Sequence, residues 1–194
     1  MKEDYYDIRA QEFYDGSVGA DVHELYKPFL EFLPGGGRIL DAGCGSGRDT
    51  KAFLAMGYEV DAIDASAEMA RMATSYSGVT VEHRRFEEIT ARYVYDGIWA
   101  CASLLHVQRS SLVEAISGMT LALKESGYLY ASFKYGSRER EEDGRTFTDM
   151  DELAIEDLLE AVEALAPVST WVTQDVRPGR SQSWMNIICQ RIDR

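Results

Sequence analysis

Residues 39 to 49 read ILDAGCGSGRD: a short apolar run, an acid, then glycines at 43, 45 and 47. Backbone bare of side chains at alternate positions lets a ligand approach closely, and glycine adopts φ values that other residues avoid. The dinucleotide fingerprint spaces its glycines G-x-G-x-x-G and sets a pyrophosphate on the helix that follows. Here the spacing is G-x-G-x-G, and Asp41 stands just ahead of it. A carboxylate there repels a diphosphate and attracts a cation. Asp64 follows Gly43 by 21 positions and ends the next apolar run, YEVDAID, where an acid accepts hydrogen bonds from a ribose diol. The turn therefore fits an adenosine ligand whose other end carries positive charge.

Outward from the turn, apolar periodicity switches repeatedly between strand and helix. Before it, DVHELYKPFLEFLP sets Val22, Leu25, Tyr26, Phe29, Leu30 and Leu33 at helical spacing with Pro28 as a kink, and Arg38 to Asp41 reads as a short buried strand. After it, Asp49 to Met56 reads as a helix ended by Gly57, YEVDAID as a second strand, and Ser66 as the cap of the helix SAEMARMA. VTVEHRRF gives a third strand and YDGIWACASLLHV a long fourth. Ser111 with Glu114 reads as a capping box for a helix ended by Gly127, and YLYASFKY as a fifth strand. GSREREEDGR reads as a polar loop, and Thr148 with Asp151 as a second box before DELAIEDLLEAVEAL. STWVTQDV and SWMNIICQR close as a hairpin through Pro178-Gly179. Strands alternating with helices to about residue 135 predict an α/β fold whose mostly parallel sheet binds its ligand beyond the carboxyl ends of the strands.

The 194 residues suffice for a single domain, read as a helical lead-in over 1–34 and a core over 35–194. With 45% hydrophobic and 27% charged residues the composition is that of a soluble globular protein. A net charge of −13 works against nucleic-acid partners. Cys44, Cys101 and Cys189 stand apart in apolar stretches without ligand or redox spacing, so they read as reduced core thiols and no metal is expected. The first ten residues, MKEDYYDIRA, lack a basic-then-apolar pattern, and no apolar run nears the ~18 residues of a membrane span. The expectation is a cytoplasmic protein, a monomer or homodimer.

The run Asp41-Ala42-Gly43-Cys44-Gly45-Ser46-Gly47, the acid Asp64 in VDAIDAS, the segment YDGIWACASLLHV and then LKESGYLYASF resemble, in this order, the motifs of the class I S-adenosylmethionine-dependent methyltransferases. The resemblance covers Leu33 to Tyr135 and is nearest to small tellurite-resistance-like and generic small-molecule enzymes. It implies a Rossmann-like, doubly wound, mostly parallel seven-stranded sheet with helices on both faces and a C-terminal antiparallel strand pair. It implies S-adenosylmethionine as cofactor and S-adenosylhomocysteine as product. In such a site Gly43, Gly45 and Gly47 lie against the methionine part and Asp41 near its ammonium, with Cys44 and Ser103 in the same pocket. Asp64 holds the ribose hydroxyls, and Ala65 and Ser66 lie beside the adenosine. HRRFEEI stands where many relatives carry an acid for the adenine, which leaves Phe86 to stack on the base and Glu87 to make a polar contact. Arg48 and Asp49 read as the first helical turn, with Arg48 also open to meeting the cofactor's carboxylate.

The resemblance implies methyl transfer by in-line displacement, whose acceleration comes from holding an acceptor lone pair opposite the methyl. A small acceptor is expected because no recognition domain is inserted. An anionic one is expected because Lys134, Arg145, Arg177 and Arg180, with Trp184 as an aromatic wall, can converge on it. His106 is the ionisable candidate for a general base, or a residue that only lines the pocket. Ser103-Leu104-Leu105-His106 lacks the Asn/Asp-Pro-Pro-Tyr pattern of base-modifying enzymes. Tyr5, Tyr6, Phe13 and Tyr14 read as a lid over the site, Tyr14 reaching substrate, or as packing on the sheet edge. Two other classes keep the same turn: a non-catalytic S-adenosylmethionine-binding regulator, and an NAD-dependent oxidoreductase, which the glycine spacing disfavours.

Overall fold

The computed structural model describes residues 4–192. The chain runs through α1 (Asp4–Ile8), α2 (Ala10–Ser17), α3 (His23–Leu30), β1 (Arg38–Ala42), α4 (Arg48–Ala55), β2 (Glu59–Asp64), α5 (Ala67–Ser77), β3 (Val81–His83) and β4 (Tyr95–Ala100). It continues through α6 (Arg109–Ala122), β5 (Leu123–Lys134), β6 (Glu139–Glu142), β7 (Arg145–Thr148), α7 (Glu152–Ala161), β8 (Leu165–Gln174) and β9 (Ser183–Arg191). The main sheet has the order β3-β2-β1-β4-β5-β9-β8, parallel from β3 to β5 and antiparallel at β9 and β8. Strand order reverses between β1 and β4, and the glycine turn leaves β1 at that crevice, where ligands of such sheets bind.

Alternating side chains assign the two faces. Ile39, Trp99, Tyr130 and Ile188 pack with Tyr26 and Phe29 of α3 and Phe53 of α4, and the Trp99 and Tyr130 rings stack 3.8 Å apart. Their neighbours Leu40, Ile98, Leu129 and Ile187 face the other way, onto Leu112, Ile116 and Met119 of α6 and Ile155 and Leu158 of α7. The doubly wound, mostly parallel seven-stranded sheet with helices on both faces is thus as the sequence predicts, as are the C-terminal strand pair and the Ser66 cap, whose Oγ accepts from Met69 N at 3.1 Å. No helix among the described residues is long and apolar enough to cross a membrane.

Five local expectations are corrected. β4 stops at Ala100: Ala102 takes φ 53°, its N–H donates to Ser132 Oγ at 2.8 Å, and Leu104–His106 coils into a 3₁₀ turn. α6 starts at Arg109, ahead of the expected Ser111 box, because Glu139 Oε2 from β6 accepts from Arg109 N at 2.6 Å and caps the helix from outside. The helix yields to β5 at Leu123, which leaves Gly127 inside that strand, where a Cβ would come within 3.2 Å of the Tyr95 and Asp96 carbonyls. The polar loop is the β6–β7 hairpin, turning at Asp143 and Gly144 with φ of 53° and 78°. Two successive positive φ values are what a tight hairpin turn requires. Thr148 belongs to β7 and donates to the Val107 carbonyl at 2.8 Å, while Asp151 alone caps α7 by accepting from Ala154 N at 2.9 Å.

Candidate active site

The turn after β1 is tied to β2 through Gly43 N and Cys44 N, which donate to the Ile63 carbonyl at 2.9 and 3.0 Å. Gly43 has φ 80°, and a Cβ there would lie 2.5 Å from Ser103 Cβ, so a side chain is excluded twice. Ser103 is itself fixed by donating to the Ala42 carbonyl at 2.7 Å. Gly47, φ 76°, would bring a Cβ within 3.0 Å of Ala73, so this glycine seats the start of α4 against α5. A Cβ on Gly45 would meet nothing within 4 Å, which leaves its face open to the cavity.

Three acids surround this turn and differ in charge. Asp64 accepts from Gly45 N and Ser66 N, both at 2.9 Å. Burial pushes its carboxyl up to about 6, with the two N–H donors working against that rise. Asp41 is 2% exposed, accepts from Thr50 Oγ1 at 2.6 Å, and lies beneath the turn, off the cavity wall. Burial first, and the neighbouring Asp49 second, push Asp41 upward. Asp49 accepts from Tyr26 OH at 2.6 Å, Trp99 Nε1 at 2.8 Å, and Arg48 Nε and Nη2 at 2.6 and 2.9 Å. Burial opposes its charge, but Arg48, Tyr26 and Trp99 outweigh it and hold Asp49 low. The paired, ionised acid of the turn is therefore Asp49, while Asp41, expected beside a ligand's ammonium, sits beneath the turn on Thr50.

These groups open on a cavity of about 1070 Å³. Gly43, Cys44, Gly45, Asp64, Ala65, Ser66, Phe86, Glu87 and Ser103 line it; Asp41 and Gly47 do not. Phe86 Cζ stands 3.5 Å from where a Gly43 Cβ would be, so its ring roofs the turn. Lys134, Arg145, Arg177, Arg180 and Trp184 line the cavity, whereas Tyr14 is turned away and packs edge-on against Tyr76 at 5.9 Å. Phe13, one position earlier on α2, takes its place. The sequence reading missed Asp49 as a wall residue because the groups that bury it, Tyr26 and Trp99, are 23 and 50 positions away.

The end of the cavity away from the turn is basic and aromatic. The Arg145 guanidinium lies over Tyr5, Phe13 and Phe147, 4.5, 5.4 and 4.8 Å from the ring centroids. Its side chain is 14% exposed and its buried Nε has no hydrogen-bond partner; the carboxylate facing it, Asp143, is 3.9 Å away and 62% exposed. Lys134 Nζ sits 3.7 Å over Phe147, and burial, then Arg140, pull its pKa down. Arg177 differs, because Asp175 already holds it through bonds of 2.8 and 2.5 Å.

His106 has both nitrogens engaged, Nδ1 2.9 Å from the Thr146 carbonyl and Nε2 2.6 Å from Tyr6 OH. Burial foremost, with Arg145 and Lys134 adding to it against the Thr146 bond, brings its pKa down to about 4. Burial pushes the Cys101 thiol up to about 12, which removes it as a nucleophile at neutral pH. Helix α1 joins the two ends of the site: Tyr6 reaches His106, and Asp7 Oδ1 accepts from Ser66 Oγ and Glu68 N at 2.5 and 3.1 Å.

Residues 39–127 match the family model described as a methyltransferase domain. The chain is 30% identical over 124 residues to a ubiquinone biosynthesis O-methyltransferase of Xanthomonas axonopodis pv. citri, covering 57% of this chain and 51% of that protein. It is 31% identical over 154 residues to YqeM, a Bacillus subtilis protein named as a methyltransferase, covering 72% of this chain and 60% of that one. The chain thus spans half to three fifths of these relatives' length. Among solved structures it superposes on a Burkholderia thailandensis 1,6-didemethyltoxoflavin-N1-methyltransferase, held with 1,6-didemethyltoxoflavin and S-adenosylhomocysteine, at a TM-score of 0.82 and 20% identity over 98% of this chain and 87% of that one. With the strand order, the turn and the acid beyond it in place, residues 39–127 match a methyltransferase domain and the chain has the fold of the solved S-adenosylmethionine-dependent methyltransferases it resembles.

Proposed function

We propose that the protein transfers a methyl group from S-adenosylmethionine to a small acceptor that carries an anionic group. When bound, the cofactor supplies an electrophilic methyl on a positively charged sulfur. The residues of the turn fit it. Gly45 offers open backbone, Asp64 keeps lone pairs for a ribose diol, Phe86 offers a ring for the base, and Arg48 stands at the wall for a carboxylate.

The observation that carries the acceptor reading is the buried Nε–H of Arg145, which has no partner in a chain of net charge −13. A buried cation is ordinarily paired. Arg145 and Lys134 both lie over the Phe147 ring and both line the cavity, which sets two cations close together for one anionic group on the ligand. An acceptor that arrives ionised is drawn to this end and held for in-line attack. The Burkholderia enzyme of the same fold was solved with 1,6-didemethyltoxoflavin and S-adenosylhomocysteine bound, in keeping with a small acceptor here.

Arg145→Gln is expected to raise the acceptor's KM by about 10- to 100-fold, the worth of one charge-assisted hydrogen bond, while the Kd for S-adenosylhomocysteine stays within about twofold. Steady-state kinetics with an acceptor found by screening carboxylates against their methyl esters measures this. An ester that serves as well as its acid would refute the anionic acceptor.

A further inference from the structure

The hydrogen bonds of His106 fix where its proton sits. A carbonyl oxygen only accepts, so Nδ1, 2.9 Å from Thr146 O, carries the hydrogen. Nε2 is then bare and accepts the Tyr6 O–H at 2.6 Å. The phenol has one proton, and it is committed. Toward the rest of the cavity the Tyr6 oxygen presents lone pairs only, one of them within reach of the Arg145 guanidinium and the other left for a ligand.

We propose that Tyr6 meets the reacting end of the acceptor and that the acceptor presents an N–H or O–H to it, while its anionic group lies on Arg145 and Lys134. This rests on the methyl-transfer reading above and narrows the acceptor to a small amino- or hydroxy-substituted aromatic acid. The surroundings set that size. The Phe13 ring is 4.7 Å from the Tyr6 ring and 5.4 Å from the Arg145 guanidinium, and the Phe147 ring is 5.0 Å from His106 and 4.8 Å from Arg145. The hydroxyl and the cation are thus bracketed by the same two rings, a span that one flat molecule fills.

Tyr6 also gives the acceptor's proton a path. As the acceptor's lone pair forms its bond to the methyl, the methyl–sulfur bond would break and leave a neutral thioether, while the acceptor's N–H or O–H bond breaks and that proton joins the Tyr6 oxygen. The proton already on Tyr6 passes to His106 Nε2, and the imidazolium keeps its Nδ1–H on Thr146. The positive charge brought in with the methyl ends on the ring, so atoms and charge balance. Burial foremost, then Arg145 and Lys134, opposes an imidazolium; the acceptor's anion offsets the two cations, and a ligand that spans the site holds its charge close to the ring.

Two measurements test the proposal. In protein labelled with ¹⁵N in its three histidine rings, long-range ¹H–¹⁵N spectra, assigned with His106→Asn, should show His106 as the Nδ1–H tautomer at neutral pH. The Nε2–H tautomer overturns the proposal. By calorimetry with S-adenosylhomocysteine present, 4-hydroxybenzoate and 4-aminobenzoate should bind about fivefold tighter than benzoate, and Tyr6→Phe should erase that difference while leaving benzoate within about twofold. Substituted acids that bind no better than benzoate, or not at all, overturn it. If phenol and aniline bind as well as their acids and Tyr6→Phe weakens them, the anionic-acceptor reading falls and the Tyr6 assignment stands.

Discussion

Asp64→Ala is expected to weaken S-adenosylhomocysteine binding by about 10²- to 10⁴-fold, because two hydrogen bonds to a charged acceptor contribute roughly 3–6 kcal/mol together. The direction of the pH dependence follows from burial, which holds this carboxyl at about 6. If Asp64 holds the ribose as proposed, its ionised form does the accepting, so affinity should be full above that pH. Below it, affinity falls about tenfold per pH unit as one proton must leave before binding. Asp7 and His83 face the same carboxyl, and His83 Nε2 lies 3.1 Å from the Ala65 carbonyl. Asp64→Asn removes this carboxyl from the titration: calorimetry between pH 5 and 8 should give it weak and nearly flat binding. A variant that keeps the wild-type slope would remove Asp64 from the site.

Asp49→Leu is expected to destabilise the fold by about 3–5 kcal/mol, the cost of leaving a buried charge unpaired. The substitution strands the Arg48 guanidinium, the Tyr26 hydroxyl and the Trp99 indole N–H, all of which donate to this one carboxylate. For a chain of this size that is a fall in Tm of roughly 6–20 °C, read by thermal circular dichroism. Adding Arg48→Met should restore part of the loss, since an apolar pair substitutes well for a buried ion pair. The pH dependence has the sign of a depressed acid. Asp49 sits below its unfolded value, so its contribution is complete above that value and is lost as pH falls through the folded one. Asp49→Leu should therefore lose less stability than the wild type on acidification. A Tm change under about 3 °C would show that the cluster contributes little.

The cofactor half of the molecule was legible because its signals are local. A strand, a bare turn and an acid about twenty positions on depend on residues close in sequence, and Gly43, Asp64 and the Ser66 cap stand where those signals put them. The acceptor half was legible only by residue type. Lys134 and Arg145 were named as cations, but the rings enclosing Arg145 come from α1, α2 and β7, and no periodicity connects those segments. Tyr14 and Phe13 were exchanged because α2 is eight residues long, too short for its pattern to fix which side faces inward. The hairpin that carries Arg145 was hidden by its charge: EREE shows no apolar alternation, and only Asp143-Gly144 signalled a turn. The expected box at Ser111 failed because a partner thirty positions away, Glu139, capped α6 one turn earlier.

The segment that matches the methyltransferase domain, residues 39–127, holds the turn, Asp64 and His106, while Tyr6, Phe13, Lys134, Arg145 and Phe147 all lie in the flanks. On the proposed reading, donor and acceptor recognition are encoded in separable stretches of one chain, fastened together where Tyr6 meets His106 and Asp7 meets Ser66. New acceptors could evolve by exchange of the flanks around an inherited donor module, with those two fastenings as the joints any graft must preserve.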